Sequence, residues 1–457
     1  MHRNQQNDTS SKAPTLPEGA GEGSPSGEPA PPARCRLTVV IVGAGIGGLA
    51  TAIALARRGH TVKVFEQAAE LAEVGAGVQV PPNSTRLLRR WGLGPRLHAL
   101  ATEPAAITFR RWEDGIVIGY TRLQPDYRET FDAPYYVVHR AHYQKCLFER
   151  AREVGVEVRF GTRVERFVEA GKGAGVVLEG VGEVWGDLVV GADGLHSKCR
   201  KAILGPKDRQ PQLMGFAAYR ATVDTQKMRA DPDTAWLLDT PGQNCWVGHM
   251  RHCMTYTIAS GATFNMVLSH PSTTAPSTWV QSTALADARA QFAGWDPVLV
   301  KIIGMINSTM KWPLMSGSPL ETWVSEGGRM CVLGDAAHAM LPYMSQGAAQ
   351  AVEDGASLAT LLSLVGDVEE IPRALEVWEG LRRPRATQMQ EASVVNGKLW
   401  HFGDGEEQRM RDGLMRAEVE GGRYLESPNQ FSDPVTQVWC YGYDAEEEAG
   451  RAWRELK

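Results

Sequence analysis

Residues 37–65 constrain the fold more than any other stretch. A strand-like run, a glycine loop, a helix and a second strand-like run follow one another there without a break. Residues 37–42 read LTVVIV, a β-branched run suited to a strand buried on both faces. GAGIGG follows at once, and Gly43, Gly45 and Gly48 satisfy G-x-G-x-x-G. Residues 47–58 carry a helical pattern that ends at Gly59, and residues 61–65 form the next strand. Each glycine has a physical task in this setting. The first allows the tight turn, the second lets a pyrophosphate approach the backbone, and the third lets helix and strand pack closely. The positive end of the helix favours the phosphate. Glu66 closes the second strand, where a carboxylate can accept a hydrogen bond from a ribose hydroxyl. The unit predicts a dinucleotide site but does not choose between NAD and FAD. Residues 37–56 carry no charge and are long enough to cross a membrane, yet the four glycines inside them fit the loop instead.

Composition removes several other classes. Hydrophobic residues make up 43% of the 457, enough for a sizeable core. The formal net charge of −5 argues against a nucleic-acid surface or a polybasic membrane anchor. The 7 Cys are scattered and form no CxxC, and the 11 His form no HExxH. No metal site or disulfide framework is expected, and a reducing, cytoplasmic setting fits. The N-terminus has no apolar signal-peptide core. Residues 1–35 are rich in Pro, Gly, Ser and Glu and are expected to be a disordered tail.

Further along, residues 106–120 and 135–138 read as strands, and 140–154 as a helix closed by Gly155. Residues 156–160, 163–169, 174–178 and 183–190 read as strands of a mixed sheet. GKGAGV at 171–176 has no helix after it and reads as a hairpin turn rather than a second nucleotide loop. Residues 215–223, 245–247, 254–260 and 263–269 suggest an antiparallel sheet with a turn at Ser260-Gly261. Residues 330–333 form a short buried strand, 346–365 a helix, and 373–400 a helical stretch interrupted near Pro384. The expected fold is mixed α/β. A discontinuous Rossmann-type domain (36–110, 136–210, 325–370) is interleaved with a substrate domain of mixed or antiparallel sheet (111–135, 211–324). A C-terminal helical region (371–457) follows. Its polar, acidic last sixty residues fit helices on the nucleotide domain and a dimer contact equally well.

Two later segments bear on the cofactor. GADGLHSKCR occupies 191–200. CVLGDAAHAMLPYMSQGAAQAVEDG occupies 331–355; it places Asp335 past a strand end and Gln346, Gly347 and Ala348 at a helix start, where free N–H groups suit a negative charge. Taken with GAGIGG, these segments make the chain resemble the group A FAD-dependent aromatic monooxygenases, the class of salicylate hydroxylase and p-hydroxybenzoate hydroxylase, over nearly all of 37–400. Gly191-Ala192-Asp193-Gly194, with Ser197 and Arg200, matches the DG motif, which in the family serves FAD and NAD(P)H. Gly334-Asp335 matches the GD motif, whose Asp contacts the FAD ribityl chain. Residues 73–93, which include Gly77, and VHRAHY at 138–143 are similar to FAD segments of fungal salicylate-hydroxylase-like enzymes. The likeness implies that Arg140 is a FAD ligand. AYRAT (218–222) and MRHCMTY (250–256) resemble the substrate-side strands, so Arg220 and Tyr256 are the implied holders of a substrate phenolate. The sequence departs from that pattern at Met214–Ala217, where a more polar run is usual, and at His249-Met250, where Gly-Pro is usual.

The resemblance implies a FAD enzyme, monomeric or homodimeric, that takes reducing equivalents from NADPH or NADH. It inserts one atom of O2 into an electron-rich aromatic small molecule through a flavin C4a-hydroperoxide, in a setting of secondary metabolism. Phenol or salicylate-type hydroxylation is the default. Oxidative dearomatisation of a polyketide phenol and indole 2,3-epoxidation stand beside it. A flavin oxidase, an NAD(P)-dependent dehydrogenase and a non-catalytic flavoprotein account for fewer of the motifs. An always-cationic arginine suits a phenolate, and Tyr256 can donate to the same oxygen. His338 is expected to pack beneath the flavin segment and Pro342 to shape the loop beside the ring. Cys331 is expected in the core. Trp236, Trp246, Met250, Met254 and Met266 fit an apolar pocket or ordinary core equally.

Overall fold

A computed structural model describes residues 24, 26–71, 77–171 and 173–456. The glycine-loop unit folds as expected: strand Thr38–Val42, helix Ile46–Ala56, strand Thr61–Phe65. These strands belong to a five-stranded parallel sheet in the order Met330–Val332, Leu188–Gly191, Thr38–Val42, Thr61–Phe65, Glu157–Arg159. Helix Gly347–Leu364 packs so closely on helix Ile46–Ala56 that a Cβ at Gly355 would lie 2.5 Å from Thr51 Oγ1. The apolar residues between these layers form the largest core.

The strands expected over 163–190 do not make one mixed sheet. Val164–Ala170, Gly173–Leu178 and Gly182–Gly186 form a separate antiparallel sheet that packs on the parallel one through Val176, Leu178, Val40 and Val189. The run read as one strand, 183–190, is therefore cut at Asp187. There Asp187 Oδ2 accepts the Thr38 N–H at 2.7 Å and directs the chain from one sheet to the other. Residues 106–120 likewise form two strands, Ala106–Arg111 and Val117–Arg122, paired around a turn that holds Gly115 at φ +70°.

The second large layer is a seven-stranded sheet. Its order is Thr309–Ser316, Gln212–Asp224, Thr263–Pro271, Arg251–Ile258, Gln243–Gly248, Ala106–Arg111, Val117–Arg122. Register assigns its two faces: Arg220 pairs with Val267, and Val267 with Met254. Alternation then puts Ala218, Arg220, Val267, Met254 and Tyr256 on one face, and Tyr219, Trp246, Cys253, Met266 and Leu268 on the other. The second set is buried against helices Ala284–Gln291 and Pro297–Gly304. Trp246 and Met266 are thus core, Trp236 and Met250 are exposed, and of the five residues weighed for a pocket only Met254 lines one.

The helix expected to break at Pro384 runs unbroken over Ile371–Trp400. Pro384 sits on the exposed face, so the Gly380 carbonyl that loses its donor also faces outward. Buried Arg382 and Arg385 on either side hold the register. The last helices pack on both layers. Ala445, Ala449 and Trp453 join the core beside the parallel sheet, and Met415 packs against Gly119 of the large sheet. Residues 1–23 and 25 of the expected tail lie outside the described residues. Residues 26–35 are tied to the body instead: Ser26 O accepts from Arg150 Nη2 at 2.7 Å, and the Arg34 N–H donates to Ser363 O at 3.0 Å. All 7 Cys are free and six are buried, Cys331 among them. No described helix is long and apolar enough to cross a membrane.

Candidate active site

Where the glycine loop, the Gly347 helix and the inner face of the large sheet converge, they enclose a cavity of about 340 Å³. The lining includes Gly45, Gly77, Arg140, Arg220, Tyr256, Asp335, Gly347 and Ala348, all singled out in the sequence. Gly43, Gly48, Glu66 and Asp193 stand behind the wall and shape it.

Gly43 has φ +105°, and a Cβ there would lie 2.3 Å from Ala192 O. A Cβ on Gly48 would lie 2.0 Å from Gly43 O. Both glycines therefore permit close backbone packing. A Cβ on Gly45 meets nothing, so this glycine leaves open space over an uncapped helix start. Glu66 holds the loop through two backbone donors, Ala44 N–H and Ala68 N–H, each at 2.8 Å. Asp193 caps the Lys198–Leu204 helix, accepting from Ser197 Oγ at 2.5 Å and Lys198 N–H at 2.8 Å. Arg200 pairs with Asp208 and donates to Ala336 O at 3.1 Å, which joins this motif to the Asp335 turn.

The Asp335 turn has its own anchor. Gly334, at φ +58°, donates its N–H to Asp354 Oδ2 at 3.1 Å, and His338 Nε2 lies 2.6 Å from the same oxygen. His338 is thus a buried support beneath the segment, as expected. Asp354 belongs to a buried ion network. Arg382 bridges Asp354 (2.9 Å) and Glu353 (2.6 Å), and Arg385 grips Glu353 at 2.8 Å. Burial pushes both carboxyls up, but Arg385 and Arg382 hold Glu353, and His338 and Arg382 hold Asp354, below the ordinary range. Asn83 bonds both Glu353 and Gln346, so the network also fixes the residue before Gly347. The Asp335 carboxylate itself is exposed at the cavity and has no partner among the described residues.

On the opposite wall, Arg220 is half-buried and its guanidinium makes no hydrogen bond or ion pair among the described residues, whereas its backbone carbonyl accepts from Thr309 Oγ1 at 2.9 Å. Burial pushes its pKa down, against the pull of Tyr256. Tyr256 is 3% exposed, and burial raises its pKa although Arg220 opposes the shift. Its ring rests on Gly77, where a Cβ would come within 2.3 Å of Cε2. Pro342 lines the cavity in the loop the sequence suggested.

The sequence reading missed His252, Met340, Tyr343 and Trp400, all of which also line the cavity. A signal for His252 was present: strand alternation counted back from Tyr256 puts Met254 and His252 on the same face. Trp400 had no local signal, because it arrives at the end of a 30-residue helix. That helix clasps the cavity loop by its carbonyls. Gln390 bonds Ala339 O (3.0 Å), Ser393 bonds Leu341 O (2.5 Å) and Asn396 bonds Tyr343 O (2.7 Å). Among the described residues no cluster suits a metal ion.

A fold with a glycine-loop nucleotide unit, a second loop-to-helix start and a sheet-walled cavity between them defines a class, and comparison bears it out. The family described as FAD binding domain matches residues 36–393. The FAD-dependent monooxygenase OpS4 of Beauveria bassiana (strain ARSEF 2860) is 36% identical over 411 residues, covering 90% of this chain and 95% of that protein. The 3-amino-4-hydroxybenzoate 2-monooxygenase PtnB3 of Streptomyces platensis is 35% identical, covering 90% and 97%. A salicylate hydroxylase substrate complex superposes with a TM-score of 0.75 at 26% identity, covering 91% of this chain and 98% of that one. The chain belongs to the FAD-dependent aromatic monooxygenases, a family of oxidoreductases.

Proposed function

We propose that the protein hydroxylates an electron-rich phenolic ring, of salicylate or related hydroxyarene-acid type, using NADPH or NADH and O2. The observation that carries this is Arg220, a cation without a partner, on the same sheet face as Tyr256 in one cavity. Such an arginine leaves a half-buried charge uncompensated unless an anion joins it. A phenolate does so, and ionisation makes the ring a better nucleophile. The name of the Streptomyces relative, which carries a hydroxylated benzoate, supports the same class.

FAD, when bound, supplies the oxygen and electron chemistry. The open space that Gly45 leaves over the uncapped helix start fits its pyrophosphate, with Gly43 and Gly48 permitting the close backbone packing behind it and Glu66 bracing the loop. Asp335 fits a polyol hydroxyl, Arg140 an anionic or carbonyl oxygen, and Asp193 keeps the adjoining motif in place. The free N–H groups of Gly347 and Ala348 favour negative charge beside them. Gly77 leaves room for Tyr256. Arg220 stabilises the substrate oxyanion, Tyr256 donates to it, and the apolar wall of Met254, Val267 and Trp400 keeps water away. We place the enzyme in the cytoplasm, as a monomer or homodimer, in secondary metabolism.

The test is NAD(P)H oxidation by the purified FAD-loaded protein, with and without phenols, salicylates and prenylated indoles, in 18O2. The expected result is oxidation stimulated by a phenol whose product carries one labelled oxygen. Stimulation by indoles alone replaces the phenol with an indole epoxidation. If NAD(P)H never reduces the flavin, the proposed reaction is wrong.

A further inference from the structure

The sheet wall of the cavity does not end at Arg220. The edge strand Thr309–Ser316 pairs with Gln212–Asp224 so that Met310 stands opposite Arg220 and Trp312 opposite Ala218. Directly opposed residues share a face of a sheet. Met310 and Trp312 therefore continue the face that carries Ala218, Arg220 and Tyr256. They border a second chamber of about 550 Å³. Arg140, Arg220 and Leu314 line both chambers, so the two adjoin at these side chains.

Exposure changes across this face. One cross-strand row runs Met310, Arg220, Val267, Met254. At its inner side Met254 is buried, as are His252, Tyr343 and Trp400 beyond it. At its outer side Met310 is 43% exposed, and Trp312, two residues on, is 40% exposed. Single exposed apolar residues are ordinary, whereas neighbouring ones that continue a cavity wall mark a ligand groove. A substituent on a ring held at Arg220 meets buried wall on one side and open apolar sheet on the other.

The chemistry of the second chamber is that of hydrocarbon. Two of its polar side chains are already engaged: Thr309 Oγ1 donates to Arg220 O at 2.9 Å, and Gln281 Nε2 donates to Thr309 O. The other two uncharged ones, Thr222 and Ser308, are exposed. Arg140 and Arg220 are its only charged side chains among the described residues, and both stand at the junction. Charge is thus placed where the ring oxygen is held, and apolar surface beyond it.

We propose that the second chamber holds an apolar substituent of the substrate, an alkyl or prenyl chain that leaves the phenol ring beside Arg220 and lies over Met310 and Trp312. The assignment rests on the phenol reading given above and narrows it: the substrate is a phenol bearing a hydrocarbon chain, not a bare ring. Covering Met310 and Trp312 with the chain removes apolar surface of both partners from water.

The test compares resorcinol with 4-hexylresorcinol on the FAD-loaded full-length protein by titration calorimetry. The hexyl chain is expected to tighten binding about 60-fold, roughly twofold for each half-covered carbon. In Trp312→Ser that advantage is expected to fall below about fivefold, while resorcinol affinity and FAD content stay at parent level. Met310→Glu is expected to do the same and serves where the first variant folds poorly. Equal affinity of the parent protein for the two phenols overturns the chain site and leaves the phenol reading standing. A hexyl advantage that both variants keep also overturns it, since the chain then lies elsewhere. Competition of NAD+ with 4-hexylresorcinol but not with resorcinol overturns it as well and gives the chamber to the nicotinamide. If neither phenol binds the parent protein, the phenol reading fails and the chain site falls with it.

Discussion

Gly77 decides where Tyr256 can stand. An alanine there would put a methyl 2.7 Å from the tyrosine hydroxyl and closer still to the ring, and the backbone of Gly77 is already held by Asn265 at 2.9 Å. The ring must move. Gly77→Ala is expected to weaken phenol binding about tenfold, or ~1.4 kcal/mol, while FAD content stays at parent level; flavin absorbance on titration with phenol measures both. Arg220→Met removes the unpaired cation and is expected to lower kcat/KM at least ~100-fold, a loss typical of removing one charge-stabilising group. Steady-state kinetics against a substrate found by the panel would check it, and an unchanged kcat/KM would remove Arg220 from the site. At this scale the sequence was legible where a motif names the residue, as at Gly45 and Asp335. It was less so at His252, whose place depends on which face of its strand meets the cavity.

Among the elements, the long C-terminal helix diverges most from its own sequence. Proline costs a helix interior about 3 kcal/mol relative to alanine, and the break expected at Pro384 follows from that local penalty. The penalty is outweighed by pairings that no local window contains: Arg382 and Arg385 meet carboxylates about 30 residues earlier, on another helix. Pro384→Ala is therefore expected to raise stability by about 1–3 kcal/mol with unchanged FAD content, read as a higher Tm. Asp354→Asn removes one anion facing Arg382 and weakens the hold on Gly334. It is expected to cost about 3–5 kcal/mol and to speed FAD loss, seen by calorimetry and by flavin fluorescence on release. The strand split at Asp187 has the same origin, since its partner, Thr38, lies 149 residues away. Short-range pattern marks where chain segments are extended, and distant partners decide which sheet receives them.

Across the whole molecule, acid sensitivity follows from groups buried in one charge state. Burial pushes His60, His270 and His401 each down to about 4 from an ordinary 6.5. As pH falls below about 6.5 the unfolded chain takes up protons that the folded chain refuses, so stability declines until about pH 4. Glu353 and Asp354 shift the other way relative to their charge: the folded protein keeps them ionised. Their contribution is present above the ordinary carboxyl range and is lost as pH drops through their lowered folded values. Both sets act in the same direction. Tm measured from about pH 7 to pH 4 is expected to fall steadily, and a flat profile would mean these groups are hydrated in the folded state. Of the overall architecture, the nucleotide unit and the antiparallel strands of the second layer were legible because each repeats a local period; the parallel pairing of Gln243–Gly248 with Ala106–Arg111 joins segments far apart in sequence. The C-terminal contribution to the cavity was not, because it is made by side-chain amides and a hydroxyl reaching loop carbonyls.

That clasp bears on anyone who trims the protein. The conserved-domain boundary falls at residue 393, inside the helix and at the middle tooth of the row formed by Gln390, Ser393 and Asn396. A chain shortened to that boundary would keep every nucleotide-loop motif yet lack Asn396, Trp400 and His401. It would be recognisable by sequence as a flavoprotein domain while missing Trp400 from the cavity wall and the Asn396 link that holds the cavity loop.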